Sequence, residues 1–483
     1  MNRSDWLTDE LIQAAFERRA GRADPGDLRE AILILSAASS QRSPWRLQLK
    51  RTKSTAAYGP AWLKGVAAAT VIGVLAVGAA LFVTRPDQPA VGGPSPTPNP
   101  TIGPSSPAGP SASPSAAVVA PRAAAWSATG NMITPRLGHK AVLLLDGRVL
   151  VVGGGSAIEG ANDSTSAELY DPGTGTWAST GSKLAPCIDS SATLLADGKV
   201  LVAGCSANTG APVSAELYDP ESGTWSATGN MVHPLDGFSA TLLRDGRVLV
   251  GDVDDPTADN PIAGAEVYDP ESATWSPTGK MIGGDAGFTA TLLRDGRVLV
   301  AGPDGAQLYD PGSGTWSAAE NMNTPAAQTA TLLLDGRVLF TGSTDSPPGP
   351  CCQVSESPVL AWAELYDPQS GAWNATQGMV AARRGYATVL LADGQVLVTG
   401  GHAGEEPGGG PLVASDELYD PGTGTWASTG TTLELAPRYG FSATLLADGK
   451  VLVAGGMGMV PMSGGTGSAV VASAELYDPG SGN

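Results

Sequence analysis

One string recurs seven times along this chain, and it limits the fold more than any other feature. The string is LL-x-DG-[RK]-VLV with small changes. Its Asp-Gly pairs begin at Asp146, Asp197, Asp245, Asp295, Asp335, Asp393 and Asp448, with spacings from 40 to 58 residues. A second string, YDP, keeps step at Tyr170, Tyr218, Tyr268, Tyr309, Tyr366, Tyr419 and Tyr477. Tryptophan follows after a short turn at Trp177, Trp225, Trp275, Trp316, Trp373 and Trp426. Each unit reads as four strands. A small-residue strand (SATLL) leads to an Asp-Gly turn, whose positive φ angles suit a tight hairpin. A buried VLVAG strand follows, then a variable loop, AELYD, a turn, and the Trp strand. A lone blade of this kind cannot bury both faces, so the units are expected to stack radially.

The order of small-residue strand, DG turn, VLVxGG, ELYDP and TW resembles the Kelch repeat. The resemblance covers residues 126–483. It implies an all-β, seven-bladed Kelch-type β-propeller, with the SATLL strand innermost and the Trp strand outermost. The glycine doublet departs from the pattern: it is intact only at Gly153-Gly154, Gly400-Gly401 and Gly455-Gly456. The ends suggest how such a ring closes. The last unit stops at YDPGSGN before any Trp strand, while an orphan strand, AAAWSATG with Trp126, precedes the first unit. The N-terminal strand is therefore expected to complete the seventh blade as a clasp, which also hides an edge.

Residues repeated around a ring are architecture: the Trp and Tyr rings pack between blades, and the YDP aspartate forms a local turn. Function should sit in what is not repeated. In a Kelch ring, the loops from outer strand to next inner strand share one face with those from second to third strand. Units six, seven and one, neighbours once the ring closes, carry Arg383, Arg384, Tyr386, His402, Arg438, Tyr439, Arg136 and His139 in or beside these loops. Units three and four carry Asp236, Asp252, Asp254, Asp255, Asp259, Asp285 and Asp304 instead. The expectation is a basic, aromatic sector that binds a protein, peptide or glycan, since Arg and Tyr suit carboxylates, sugars and peptide groups. The run from Asp252 to Asn260 is a calcium candidate through Asp252, Asp254, Asp255 and Asp259, set against a plain solvated loop. Cys187 and Cys205 approach one rim and are a candidate pair. Cys351 and Cys352 are adjacent in a long loop.

Galactose-oxidase-like Kelch enzymes use histidines, tyrosines and a Cys–Tyr pair around copper. The only histidines here are His139, His233 and His402, and no such set can be matched residue by residue. No serine elbow, P-loop or HExxH is present. The sequence identifies no catalytic residues and calls for no cofactor beyond the calcium candidate.

The remaining residues speak to placement. Residues 65–84 are 20 uncharged, mostly apolar residues, enough to cross a bilayer as one helix within a segment spanning 61–85. Arg42, Arg46, Lys50, Arg51, Lys53 and Lys64 precede the run without an intervening acid, and only Arg85 follows closely. Positive-inside logic then expects a cytoplasmic N-terminus and an extracytoplasmic propeller at 122–483. Residues 86–121, rich in Pro, Ser, Gly and Ala, read as a stalk. Residues 1–60 read as two short helices, begun by Thr8 and by Asp24-Pro25. Their layout resembles the inner domain of membrane-bound anti-sigma regulators, which implies a cytoplasmic regulatory partner. Residues 122–483 hold 16 Lys/Arg against 39 Asp/Glu, which argues against nucleic acid.

These observations converge on a membrane-tethered extracytoplasmic binding module. The alternatives are a carbohydrate-active enzyme and a surface adhesin or scaffold.

Overall fold

Strands of four to eight residues, rich in Val, Leu and Ala and broken by Asp-Gly and Pro-Gly turns, dominate the computed structural model. It describes residues 124–480, apart from 156–164, 187–190, 206–213, 233–235, 254–263, 283–288, 303–304, 321, 324–327, 345–358, 404–410, 433–436 and 463–464. The expectations for residues 1–60, 65–84 and 86–121 lie outside the described residues. Among those described, no helix is long and apolar enough to cross a membrane.

Seven antiparallel sheets of four strands form the blades. Blade 1 runs Lys140–Leu143, Val149–Val152, Ala167–Asp171 and Thr176–Ser179, from inner to outer strand. The inner strand of each blade lies beside those of two neighbours, and Lys140–Leu143 meets Ser442–Leu445 of blade 7, so the ring closes. Blade 7 takes its outer strand from the other end of the chain. Ala125–Ala128 pairs with Ala474–Asp478, setting Trp126 opposite Tyr477. Blade 1 uses the same register for Tyr170 and Trp177. The expected clasp is the observed one.

The repeated residues have the structural duties read from the sequence. The second strands are wholly buried, as in Val149, Leu150, Val151 and Val152. Tyr170 and Trp177 sit with ring centroids 5.0 Å apart, and the pair recurs around the ring. The Trp177 indole donates to the Gly130 carbonyl of the preceding blade at 2.7 Å, and the Tyr170 hydroxyl meets Thr129 Oγ1 at 2.8 Å. Blades 7 and 1 are thus joined by apolar packing and by two hydrogen bonds. Asp171 Oδ1 accepts from Gly173 N and its carbonyl from Gly175 N, closing the YDP turn.

The hairpin turn differs from expectation. Only the glycine of each Asp-Gly pair has positive φ, 88° at Gly147. Gly147 N donates to Leu144 O, and Leu144 N to Arg148 O. The loop therefore holds three residues and ends in a glycine bulge, a common alternative to the two-residue turn. Glycine has a second duty at this position. A Cβ on Gly198 would lie 3.1 Å from Leu145 Cδ1 of the preceding blade, so its absence lets neighbouring hairpins close up.

Trp126 is 6% exposed and its strand completes blade 7 from the other end of the chain. Trp126→Ala is expected to lower unfolding free energy by about 3–5 kcal/mol. The measurement is a urea titration, read as a lower midpoint with an unchanged slope.

Candidate binding face

The loop that leaves each outer strand must cross to the next inner strand, and its backbone N–H groups need partners there. A buried acid on the third strand supplies them. Glu168, next to Ala167, is 1% exposed and accepts Ile133 N at 2.6 Å and Thr134 N at 3.1 Å. Glu216 does the same for Leu184 N and Ala185 N, and Glu417 for Val380 N and Ala381 N. Glu266 accepts from Val232 N, Glu364 from Asn323 N, and in blade 4 the neutral Gln307 accepts from Ile282 N.

Burying a carboxylate is costly unless it is paired. In blades 1, 6 and 7 an arginine supplies the countercharge. Arg136 Nε and Nη2 donate to Glu168 Oε1 at 3.1 and 2.8 Å; Arg383 pairs with Glu417, and Arg438 with Glu475. Each guanidinium also ties down the far loop of the face. Nη1 reaches the carbonyl of the first glycine of the doublet, Gly153, Gly400 or Gly455, and that of Ser166, Ser415 or Ser473. Those glycines have φ of 73°, 67° and 68°. The second glycine has no room for a side chain: a Cβ on Gly154 would stand 2.8 Å from Leu137 O. The doublet survives in the same three units that keep the arginine. Arginine, glutamate and glycine doublet are one device, and units lacking the arginine have also lost the doublet. In blade 5, where no arginine is seen beside it among the described residues, burial pushes the Glu364 carboxyl up, while its bonds to Asn323 draw it partly back.

This geometry corrects the expected basic sector. Arg136, Arg383 and Arg438 are 0% exposed and offer no surface to a ligand, because each is consumed by its glutamate and loop carbonyls. His139, Tyr386, His402 and Tyr439 are buried too. His139 Nε2 lies 2.9 Å from Ser442 Oγ across the seam of blades 7 and 1. Burial, with the Arg136 and Lys140 charges beside it, pushes its pKa down to about 3, so the ring is neutral near pH 7. Tyr386 donates to or accepts from Thr341 Oγ1 at 2.8 Å, and burial pushes its hydroxyl up to about 12. His402 and Tyr439 meet edge-on at 5.2 Å. Arg384, half-buried, pairs with His402 through two backbone hydrogen bonds. The structure thus does gather these residues at blades 6, 7 and 1, but as packing. The side chain of Asp252 and the whole of Asp254, Asp255 and Asp259 lie outside the described residues, as do Cys187, Cys351, Cys352 and the Cys205 side chain.

Among the described residues, this face exposes a set of aliphatic side chains. Ile133, Leu184, Val232, Ile282 and Val380 are 59, 61, 57, 60 and 67% exposed. They occupy one equivalent loop position, one per blade. The preceding residue points inward in an extended backbone, as Met132, Met231, Met281 and Met379 do, so the next must point out. The backbone N–H of every one of the five is held by the buried glutamate or glutamine. The recurrence of an aliphatic residue after Met or Lys was the signal in the sequence, but only the fold shows that it faces solvent. Over blade 7 a hairpin, Met457–Met462 with Gly465–Val470, adds Met459, 41% exposed. Its first strand also pairs with Arg438–Tyr439.

Removing one partner of a buried pair leaves a naked charge. Glu417→Ala is expected to destabilise by about 3–5 kcal/mol, and Arg383→Met combined with Glu417→Leu to recover part of that loss. Chemical denaturation of the three chains measures it.

The Kelch motif matches residues 136–183. No curated protein matches the chain. Among solved structures it is similar to a fungal alcohol oxidase, described as having catalytic diversity among the AA5 family and in complex with copper. Identity is 20%, coverage 74% of this chain and 76% of that one, and the TM-score 0.57. That likeness is one of fold. The described residues contain no group of three or more His, Cys, Asp or Glu placed to hold a metal ion. His139 and His402 are each enclosed in packing at separate blade seams, so the described residues do not fit a copper centre. Seven four-stranded blades, a ring closed by the Trp126 strand and the matched repeat make this chain a Kelch-type β-propeller.

Proposed function

We propose that the chain is a membrane-tethered, extracytoplasmic binding module that takes a protein or peptide ligand on the apolar rim. The observation that carries this reading is the set of five aliphatic side chains, each more than half exposed at one equivalent loop position. Their backbones are held by buried acceptors, so they lose little freedom on binding, and rigid apolar anchors are what protein ligands use. A sugar ligand would call for exposed polar and aromatic groups instead, and Arg136, Arg383, Arg438, Tyr386 and Tyr439 are buried. The tether rests on the 20 uncharged residues at 65–84 and the basic residues before them. Residues 1–60 would then carry the signal to a cytoplasmic partner. An extracytoplasmic enzyme is the second reading. The likeness to an alcohol oxidase structure favours it, though only at the level of fold.

The test is a thermal-shift screen of the full-length chain against peptide and glycan libraries, repeated with Ile133→Asp combined with Val380→Asp. Exposed positions of this kind should change stability by no more than about 0.5 kcal/mol each. Stabilisation by peptides in the native chain, lost in the variant, is the expected outcome. Hits confined to glycans and equal in both chains would overturn the rim. The tether has its own check. Protease added to intact cells should cut within 86–121 and release the propeller, and a protected chain would refute the outward placement.

A further inference from the structure

The seam between blades 6 and 7 is wired differently from the other six. Elsewhere each Trp indole donates to the loop just after the preceding blade's outer strand. The acceptors are the carbonyls of Gly130, Gly181, Gly229, Glu320 and Gln377, and Thr278 Oγ1. By that spacing, Trp126 of the clasp should find Gly430. In blade 6, however, the outer strand runs on as Thr425–Thr432, and its register against the third strand shifts between Ser415 and Glu417. Trp126 Nε1 donates instead to Asp416 Oδ2 at 2.6 Å. The Tyr–Thr bond is missing here too, as it is at Tyr309 and Tyr366 among the described residues. Tyr170, Tyr218, Tyr268 and Tyr419 each meet a Thr hydroxyl, but the buried Tyr477 hydroxyl has no partner among the described residues. Thr429, the residue in the matching place, turns to the Asp416 carbonyl.

Asp416 is a single departure from the repeat. The other six units have alanine at this position: Ala167, Ala215, Ala265, Ala306, Ala363 and Ala474, all buried. Asp416 is itself 0% exposed, and its Oδ1 has no hydrogen-bond partner among the described residues. The charged and titratable groups around it do not neutralise it. Arg383 is the nearby cation, but it is committed to Glu417, the next residue. Glu475 of the facing strand adds negative charge and is itself held by Arg438. Tyr477 is pushed up to about 12 by burial first and then by the Asp416 charge. Thr399 and the Trp126 indole are neutral.

We propose that Asp416 is a protonation-controlled lock on ring closure: the neutral acid holds the clasp strand Ala125–Ala128 shut, and the carboxylate loosens the seam of blades 6 and 7. The neutral acid keeps Oδ2 as acceptor for Trp126 and carries its proton on Oδ1, the oxygen without a partner among the described residues. The carboxylate keeps one neutral donor in exchange for a full hydration shell, which does not offset its burial. Burial accordingly raises its pKa to about 6, with Thr399, Trp126 and Arg383 pulling the other way. The folded value lies above the unfolded one of 3.8. The stabilisation is therefore complete below that pH and is lost as pH rises through about 6. The clasp is also the strand that continues into residues 1–123, so the lock acts where the rest of the chain joins the ring.

Hydrogen exchange of Ala125–Ala128 in the full-length chain tests this from about pH 4 to pH 7, against Asp416→Asn and Asp416→Ala. After correction for intrinsic rates, opening of the native clasp should rise about 100-fold with pH, the factor set by a shift of about two pH units. Both variants should lack this rise, while the blade 3 outer strand Thr274–Pro277 serves as the internal control. His139 has the opposite sign, since its folded value lies below 6.5 and its contribution is lost on acidification; it is common to all three chains and cancels. Parallel profiles in the native chain and either variant would overturn the lock, as would native opening that grows toward acid. If neither variant folds, the Trp126 indole resonance of a fluorotryptophan-labelled native chain decides, with Trp126→Phe as its assignment. It should titrate near pH 6, and a flat signal would refute the proposal.

Discussion

A buried carboxylate on the third strand of a blade governs the face of this propeller. A loop that crosses from the edge of a ring to its centre has backbone N–H groups and no sheet to receive them. Glu168, Glu216 and Glu417 accept two such groups each from within the core. The loop is fixed before any side chain on it acts. Burying a charge for that purpose demands an answer: blades 1, 6 and 7 supply an arginine, and blade 4 puts a neutral glutamine in its place.

That choice propagates outward. An arginine recruited to a buried glutamate also needs acceptors for its remaining N–H groups. The glycine doublet provides them by turning a carbonyl inward with positive φ. In the units without the arginine the doublet is absent, and other residues stand there. The same loops then present aliphatic side chains to solvent by simple alternation after a buried Met or Lys. Stabilising device and exposed rim are two sides of one short segment.

Ring closure obeys the same logic of buried polar groups. Six seams use a carbonyl or hydroxyl to receive the tryptophan indole, and the seventh uses a carboxylate. A neutral acceptor is indifferent to pH and a carboxylate is not. The single Ala-to-Asp change at position 416 therefore gives the closing seam a property that the others lack.

The blades, their number and the clasp were legible in the sequence, because strand alternation and turn glycines are local signals that recur seven times and the orphan Trp strand stands at the opposite end from the unit that lacks one. The role of Glu in AELYDP as architecture was legible for the same reason. The basic sector was misjudged, because a sequence shows which charges are grouped but not whether they face solvent. Arg136, Arg383 and Arg438 gather as expected, yet their partners Glu168, Glu417 and Glu475 lie 32 to 37 residues further on and meet them only when a blade folds. The outward turn of Ile133 and its equivalents, and the burial of Asp416 against Trp126 at a separation of 290 residues, were likewise settled by tertiary contacts. Periodicity alone determined that this chain makes blades; burial, which depends on contacts distant in sequence, decided which of its polar groups are structure and which surface remains for a partner.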